Sequence, residues 1–162
     1  MVKCYSCCKM KRLALIFALI FLVGCAKQPP IGPLGGVHHH ASFKVYIDGS
    51  PVDFAKQSYM VAAPHVHIEH MNGDIIHVHA TGVTVGEFFR TIGMKFTDEC
   101  FKLPGKKYCA DEDNPLKFYV NGQESDLHGD YLIGSMDKML ISYGSGDIES
   151  QLASIKEIEL SE

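Results

Sequence analysis

The sequence predicts an α+β fold in which a mixed β-sheet packs on one helix. Three observations carry that prediction. Short runs alternate apolar and polar residues between Gly, Asn and Pro turn signals. A single capped segment carries apolar residues at helical spacing. Hydrophobic residues at 46% and charged residues at 21% of 162 positions suit one ordinary core and exclude a disordered chain or a solenoid of many repeats.

The first 25 residues read as an export leader. Lys3, Lys9, Lys11 and Arg12 precede the apolar run Leu13 to Gly24, and a start at Met10 gives a tidier version of the same layout. Twelve apolar residues are too few to cross about 30 Å of hydrocarbon as a stable span. The ending Leu22-Val23-Gly24-Cys25 resembles the lipobox of prokaryotic lipoproteins, which implies that Cys25 is lipidated and becomes the mature N-terminus. Cys4, Cys7 and Cys8 form a C-x2-C-C cluster, but in a segment expected to be removed it carries little weight. Beyond residue 25, eleven basic residues face nineteen acidic ones, a balance of −8. No basic stripe of the kind that displaces phosphate counterions is present, so nucleic acid is not an expected partner. The expected location is outside the cytoplasmic membrane, held to its outer face or to another extracytoplasmic membrane surface.

Residues 26–36, with three prolines and three glycines, read as a tether, and the domain is expected over 37–146. Between His38 and Asp48, Phe43, Val45 and Ile47 alternate with Ser42, Lys44 and Tyr46, the pattern of a half-buried strand. Residues 65–80, HVHIEHMNGDIIHVHA, place two alternating runs around Asn72-Gly73 and read as a hairpin. Its register decides where the histidines point. A two-residue Asn72-Gly73 loop sets His65 and His67 on the face opposite His77 and His79. A three-residue loop, Met71-Asn72-Gly73 with Gly73 left-handed, pairs His67 with His77 and His65 with His79. Only the second collects Val66, Ile68, Ile76 and Val78 on one side, and a one-residue slip would bury imidazoles, so the three-residue register is expected. Thr84-Val85-Gly86-Glu87 matches a capping box, with Phe88, Phe89 and Ile92 as the buried stripe of a short helix and Gly93 as its stop. Leu116–Val120 before Asn121-Gly122, and Lys138–Tyr143, read as further strands, with residues 131–133 as a short edge piece. Residues 147–162 carry Ile148, Leu152, Ile155 and Ile158 among charges and read as an amphipathic helical tail.

In the expected register His65, His67, Glu69, His77 and His79 share one face, with opposed Cβ atoms about 5 Å apart. His38 and His40, two apart before the first strand, point to one side and can close the group from a neighbouring strand. One or two such histidines would be spectators on a solvated face; five similar side chains on one face point to a metal ion. With no thiolate among them, zinc or copper(II) suits imidazoles plus a carboxylate best, and nickel or iron remains admissible. Neutral rings are needed, so affinity should fall below about pH 6. His70 and His128 lack this support: His70 falls on the apolar side of the expected strand and His128 in a turn. Cys100 and Cys109 flank eight residues, FKLPGKKY, and in an exported chain they read as a disulfide. The C-x8-C spacing lacks the closeness of a reactive C-x-x-C pair.

The ordered segments His38-His39-His40-Ala41 with FKVYIDG, HVHIE, GDIIHVHATGVTVGEFFRTIGMKF, the Cys100 and Cys109 pair, LKFYVNG and YLIGSMDKMLISYG resemble a family of exported prokaryotic His-rich proteins over residues 38 to 146. The resemblance implies a β-grasp-like domain. Some members carry the label protein-disulfide isomerase, an activity that finds no C-x-x-C here. The expectation is therefore a lipid-anchored, non-enzymatic metal-binding protein for delivery, storage or sensing of zinc or copper. A metal-dependent hydrolase with Glu69 as general base, a thiol–disulfide exchanger using Cys100 and Cys109, and a plain interaction module are the alternatives.

Overall fold

A computed structural model of the chain describes residues 29–160. The expected leader with Cys25, and the Cys4, Cys7 and Cys8 cluster, lie outside the described residues. The chain forms β1 (His39–Ile47), β2 (Ser50–Pro51), β3 (Val66–His67), β4 (Ile75–Val78), α1 (Val85–Thr91), β5 (Lys95–Phe96), β6 (Cys100–Leu103), β7 (Lys106–Cys109), β8 (Leu116–Val120), β9 (Gln123–Glu124), β10 (Lys138–Tyr143) and α2 (Ile148–Lys156). It is a mixed α+β fold with two helices. The main sheet runs β3-β4-β1-β10-β8-β9, with β2 folded back on β1, and β5-β6-β7 form a separate small sheet. The central β1 and β10 are parallel, while β4 and β8 flank them antiparallel. Among the described residues no helix is long and apolar enough to cross a membrane.

Alternation along β1 sets the two faces. Ala41, Phe43 and Val45 join Val66, Ile68, Ile76 and Val78 in the core, against Phe88 and Phe89 of α1. Phenylalanine rings from the sheet, the helix and the small sheet meet at centroid separations of 5–6 Å, mostly edge to face, the arrangement their quadrupoles favour. The opposite face, reached by Ser42, Lys44 and Tyr46, is covered partly by α2. There Ile155 is buried, the Tyr46 hydroxyl meets Ser154 Oγ at 2.9 Å, and Lys138 Nζ donates to the carbonyls of Lys156 and Ile158. That face is the partner of the amphipathic tail. Gln151, also in its buried stripe, has an amide without a hydrogen-bond partner.

The capping box forms by half. Thr84 Oγ1 accepts from Glu87 N–H at 3.1 Å, but the Glu87 carboxylate, instead of returning to Thr84, accepts from Arg90 and from His65. Gly93 ends the helix in the left-handed region, as its position suggested. Residues 30–36 do not hang free as a tether. Gly32 N–H donates to the Thr81 carbonyl and Gly35 N–H to that of His79, so this Pro/Gly stretch lies along residues 79–82. Cys100 and Cys109 are directly paired across β6 and β7 and joined by a disulfide. The eight residues between them, read from sequence as a loop, form a hairpin turning at Pro104-Gly105.

Candidate metal centre

The expected pairing of the histidine hairpin is present: His67 lies opposite His77, and His79 N–H donates to the His65 carbonyl. Its turn differs. The left-handed residues are His70 and Met71, not Gly73, and the ladder stops at His67, so residues 69–74 form a longer turn closed by Asn72 N–H on the Glu69 carbonyl. Gly73 serves a different need. A Cβ there would lie 2.6 Å from the Phe54 carbonyl carbon and collide with Ala55 N, so glycine is required by close approach of the 54–55 backbone. Because the ladder has ended, His70 does not reach the apolar side. Its side chain is 84% exposed, with Nδ1 3.2 Å from Glu69 Oε1.

On the sheet face opposite α1, β1 brings His40 directly opposite His77 of β4. His38, two residues earlier, joins them. Nitrogen atoms of His38, His40 and His77 all lie within 4.8 Å of one another, and the His38 and His40 Nε2 atoms are 3.1 Å apart. Tetrahedral zinc with bonds of 2.0–2.1 Å places its ligand nitrogens about 3.3 Å apart. Rotamer adjustments of roughly 1 Å, without backbone motion, would therefore let these three rings hold a metal ion. His79 and His67 border the group. The His79 centroid lies 4.8 Å from His38 and 5.0 Å from His67, and the His67 ring stacks with His77 at 5.9 Å. His40 is also fixed from behind, since its carbonyl accepts from Met136 N–H at 2.7 Å.

His65 does not join this group. It precedes β3, outside the alternation of the ladder, and its Nε2 donates to Glu87 Oε1 on α1 at 2.8 Å. Glu87, further engaged by Arg90, is held below the usual carboxylate range by the Arg90 hydrogen bond first and by the His65 contact. Glu69 sits at the border of the cluster, its two oxygens 3.5 Å from His67 Nε2 and 3.6 Å from His77 Nε2. Burial works to raise its carboxyl, but the neighbouring His77, His70 and His67 outweigh burial and lower it.

Two of the rings, His77 and His79, are prepared as neutral donors. Burial, assisted by repulsion from His40, His67 and His79 and opposed by Glu69, pushes His77 down to about 4. Burial and the neighbouring His67 and His38 lower His79 likewise. Nδ1 of His67 donates to the Ala63 carbonyl at 2.9 Å, which orients the ring so that Nε2 is the nitrogen directed at Glu69, 3.5 Å from its Oε2. A cleft of about 190 Å³, lined by His40, Glu69, His77 and Leu160 among others, opens beside the cluster.

The comparisons with known proteins bring no further constraint: no family model, curated protein or solved structure matches the chain. His38 and His40, expected as supporting ligands, stand at the centre of the site with His77; His67, His79 and Glu69 surround them; His65 is held by Glu87 of α1. The signal for that promotion lay in the strand order, since β1 and not only β3 is the neighbour of β4.

Proposed function

We propose that this chain is an extracytoplasmic, lipid-anchored metal-binding protein that holds zinc or copper(II) on the histidine face of a β-grasp-like sheet, for delivery, storage or sensing. The observation that carries the proposal is the convergence of His38, His40 and His77 within 4.8 Å. Two parallel central strands between antiparallel neighbours, with α1 on one face, support the β-grasp-like reading. The lipobox-like Leu22 to Cys25 supports the anchor. Imidazole nitrogens without thiolate favour zinc or copper(II), with nickel or iron as weaker fits. Elemental analysis of the purified protein, beside a His40→Ala/His77→Ala variant, tests the proposal. About one ion per chain in the parent, lost in the variant while His65→Ala keeps it, is the expected result. A parent that takes up neither ion tightly, or a double variant that binds as well as the parent, sinks it.

A second reading is favoured by one feature, the cleft beside Glu69. An ion held by three histidines with an open side would supply Lewis acidity there, and Glu69, at the edge of that cleft, could take a proton from a bound water. Turnover of ester, phosphate or peptide substrates that vanishes in Glu69→Gln while ion content is unchanged would select the hydrolase over the carrier. Thiol–disulfide exchange has only the Cys100–Cys109 bond in its favour.

A further inference from the structure

The domain is acidic, yet four of its eleven basic residues beyond position 25 fall between Lys95 and Lys107. The small sheet arranges three of them. Lys95 lies directly opposite Lys102, and Lys102 directly opposite Lys107, so one row of ammonium groups crosses all three strands on one face. Phe96 and Phe101 occupy the other face and are buried in the core, so the lysine face is the outer one. Lys106 belongs to the opposite alternation and lies over the Tyr108 ring at 4.7 Å. Like charges directly opposite one another destabilise a ladder. Among the described residues no carboxylate forms an ion pair with Lys95, Lys102 or Lys107. The disulfide between Cys100 and Cys109, one alternation along the same face from Lys102 and Lys107, keeps β6 and β7 in register despite that repulsion.

The row also borders a recess of about 300 Å³, lined by Lys95, Lys102 and Lys107 together with Thr97 and Cys100, and by Asp98 and Glu99 at the β5–β6 turn. That volume suits a small molecule. Strands about 4.8 Å apart spread three ammonium groups over about 10 Å. A chain of linked phosphates can meet all three at once, whereas a single orthophosphate reaches two at most. Asp98 and Glu99, which line one end of the same recess, and the exposed acidic run Asp111-Glu112-Asp113 that follows β7 in the chain oppose a long polyanion or a broad anionic surface and so limit the ligand in length. We propose that the outer face of the β5–β6–β7 sheet is a binding site for a short oligophosphate, taken up by Lys95, Lys102 and Lys107. The site is independent of the histidine cluster and of the function proposed for it.

The test is calorimetric titration of the full chain with sodium tripolyphosphate at low ionic strength. Prior treatment with chelator and its removal ensure that no ion at the histidine face contributes. Tripolyphosphate should bind once per chain and at least tenfold more tightly than orthophosphate. Lys102→Gln should weaken it about tenfold, the loss of one charge-assisted hydrogen bond. Lys102→Gln/Lys107→Gln should abolish it, whereas Lys117→Gln, on β8, should leave it unchanged. Thermal melts confirm that the variants fold. Equal affinity for orthophosphate and tripolyphosphate, indifference to Lys102→Gln, or binding to phosphatidylglycerol vesicles without binding to tripolyphosphate would each overturn the proposal.

Discussion

Protonation of His77 sets a pH dependence that can be worked out in sign. Its folded value of about 4 lies below the ordinary 6.5, so between those limits the unfolded chain binds a proton that the folded chain excludes. Stability from this residue is fully present above pH 6.5 and is lost as pH falls toward 4. Discounted for partial exposure, the loss is on the order of 1–2 kcal/mol. Melting of the chelator-treated protein from pH 7 to 4.5 should show the decline, and His77→Gln should flatten it; an equal slope in that variant assigns the effect elsewhere. Asp137 is a second decisive residue. Its nearly buried carboxylate accepts from Asn121 Nδ2, Tyr131 Oη and Gly134 N–H, and Tyr131 is pushed up to about 12 by burial and by that bond. Asp137→Ala strips three donors of their acceptor and should cost about 2–3 kcal/mol by denaturant melting. A loss below about 0.5 kcal/mol would show that water replaces the carboxylate. Because Met136 N–H holds the His40 carbonyl, the same change should also weaken metal uptake.

At the scale of elements, the histidine hairpin shows what local pattern reveals and where it stops. The pairing of His67 with His77 is legible because only that register separates imidazoles from Val66, Ile68, Ile76 and Val78. The turn was not legible, because the role of Gly73 depends on residues 54–55, distant in sequence. Gly73→Ala therefore tests a tertiary contact rather than a turn propensity. Collision with the Phe54 and Ala55 backbone should destabilise the protein by at least about 2 kcal/mol, well beyond the tenths expected of a permissive turn position. If Ala is tolerated with a loss under about 0.5 kcal/mol, residues 54–55 yield easily and the account of this glycine fails. The fate of His65 has a similar origin. The Thr84–Glu87 signature locates α1, but a local capping rule does not show that the Glu87 carboxylate will turn to Arg90 and to a histidine twenty-two residues away. The hairpin of β6 and β7 stayed hidden because four-residue strands rich in lysine carry little alternation, and its Lys102–Lys107 register appears only once the chain is folded.

For the whole molecule, the separation of the disulfide-bearing small sheet from the histidine face makes the two chemistries independently testable. Cys100 and Cys109 are nine positions apart, and closing so short a loop contributes about 2–3 kcal/mol by restricting the unfolded chain. The phosphine-reduced protein should melt roughly 10 °C lower and keep the metal stoichiometry of the oxidised form, because His38, His40 and His77 lie on β1 and β4 and β1–β4 pairing does not involve the small sheet. The lysine row should respond in the opposite manner. Without the staple, repulsion between Lys102 and Lys107 acts on an unlocked β6–β7 pair, so reduction should weaken tripolyphosphate binding before it touches metal content. Metal loss that tracks the reduced fraction would mean that the two sheets act as one cooperative unit, and the independence of the sites would be lost with it.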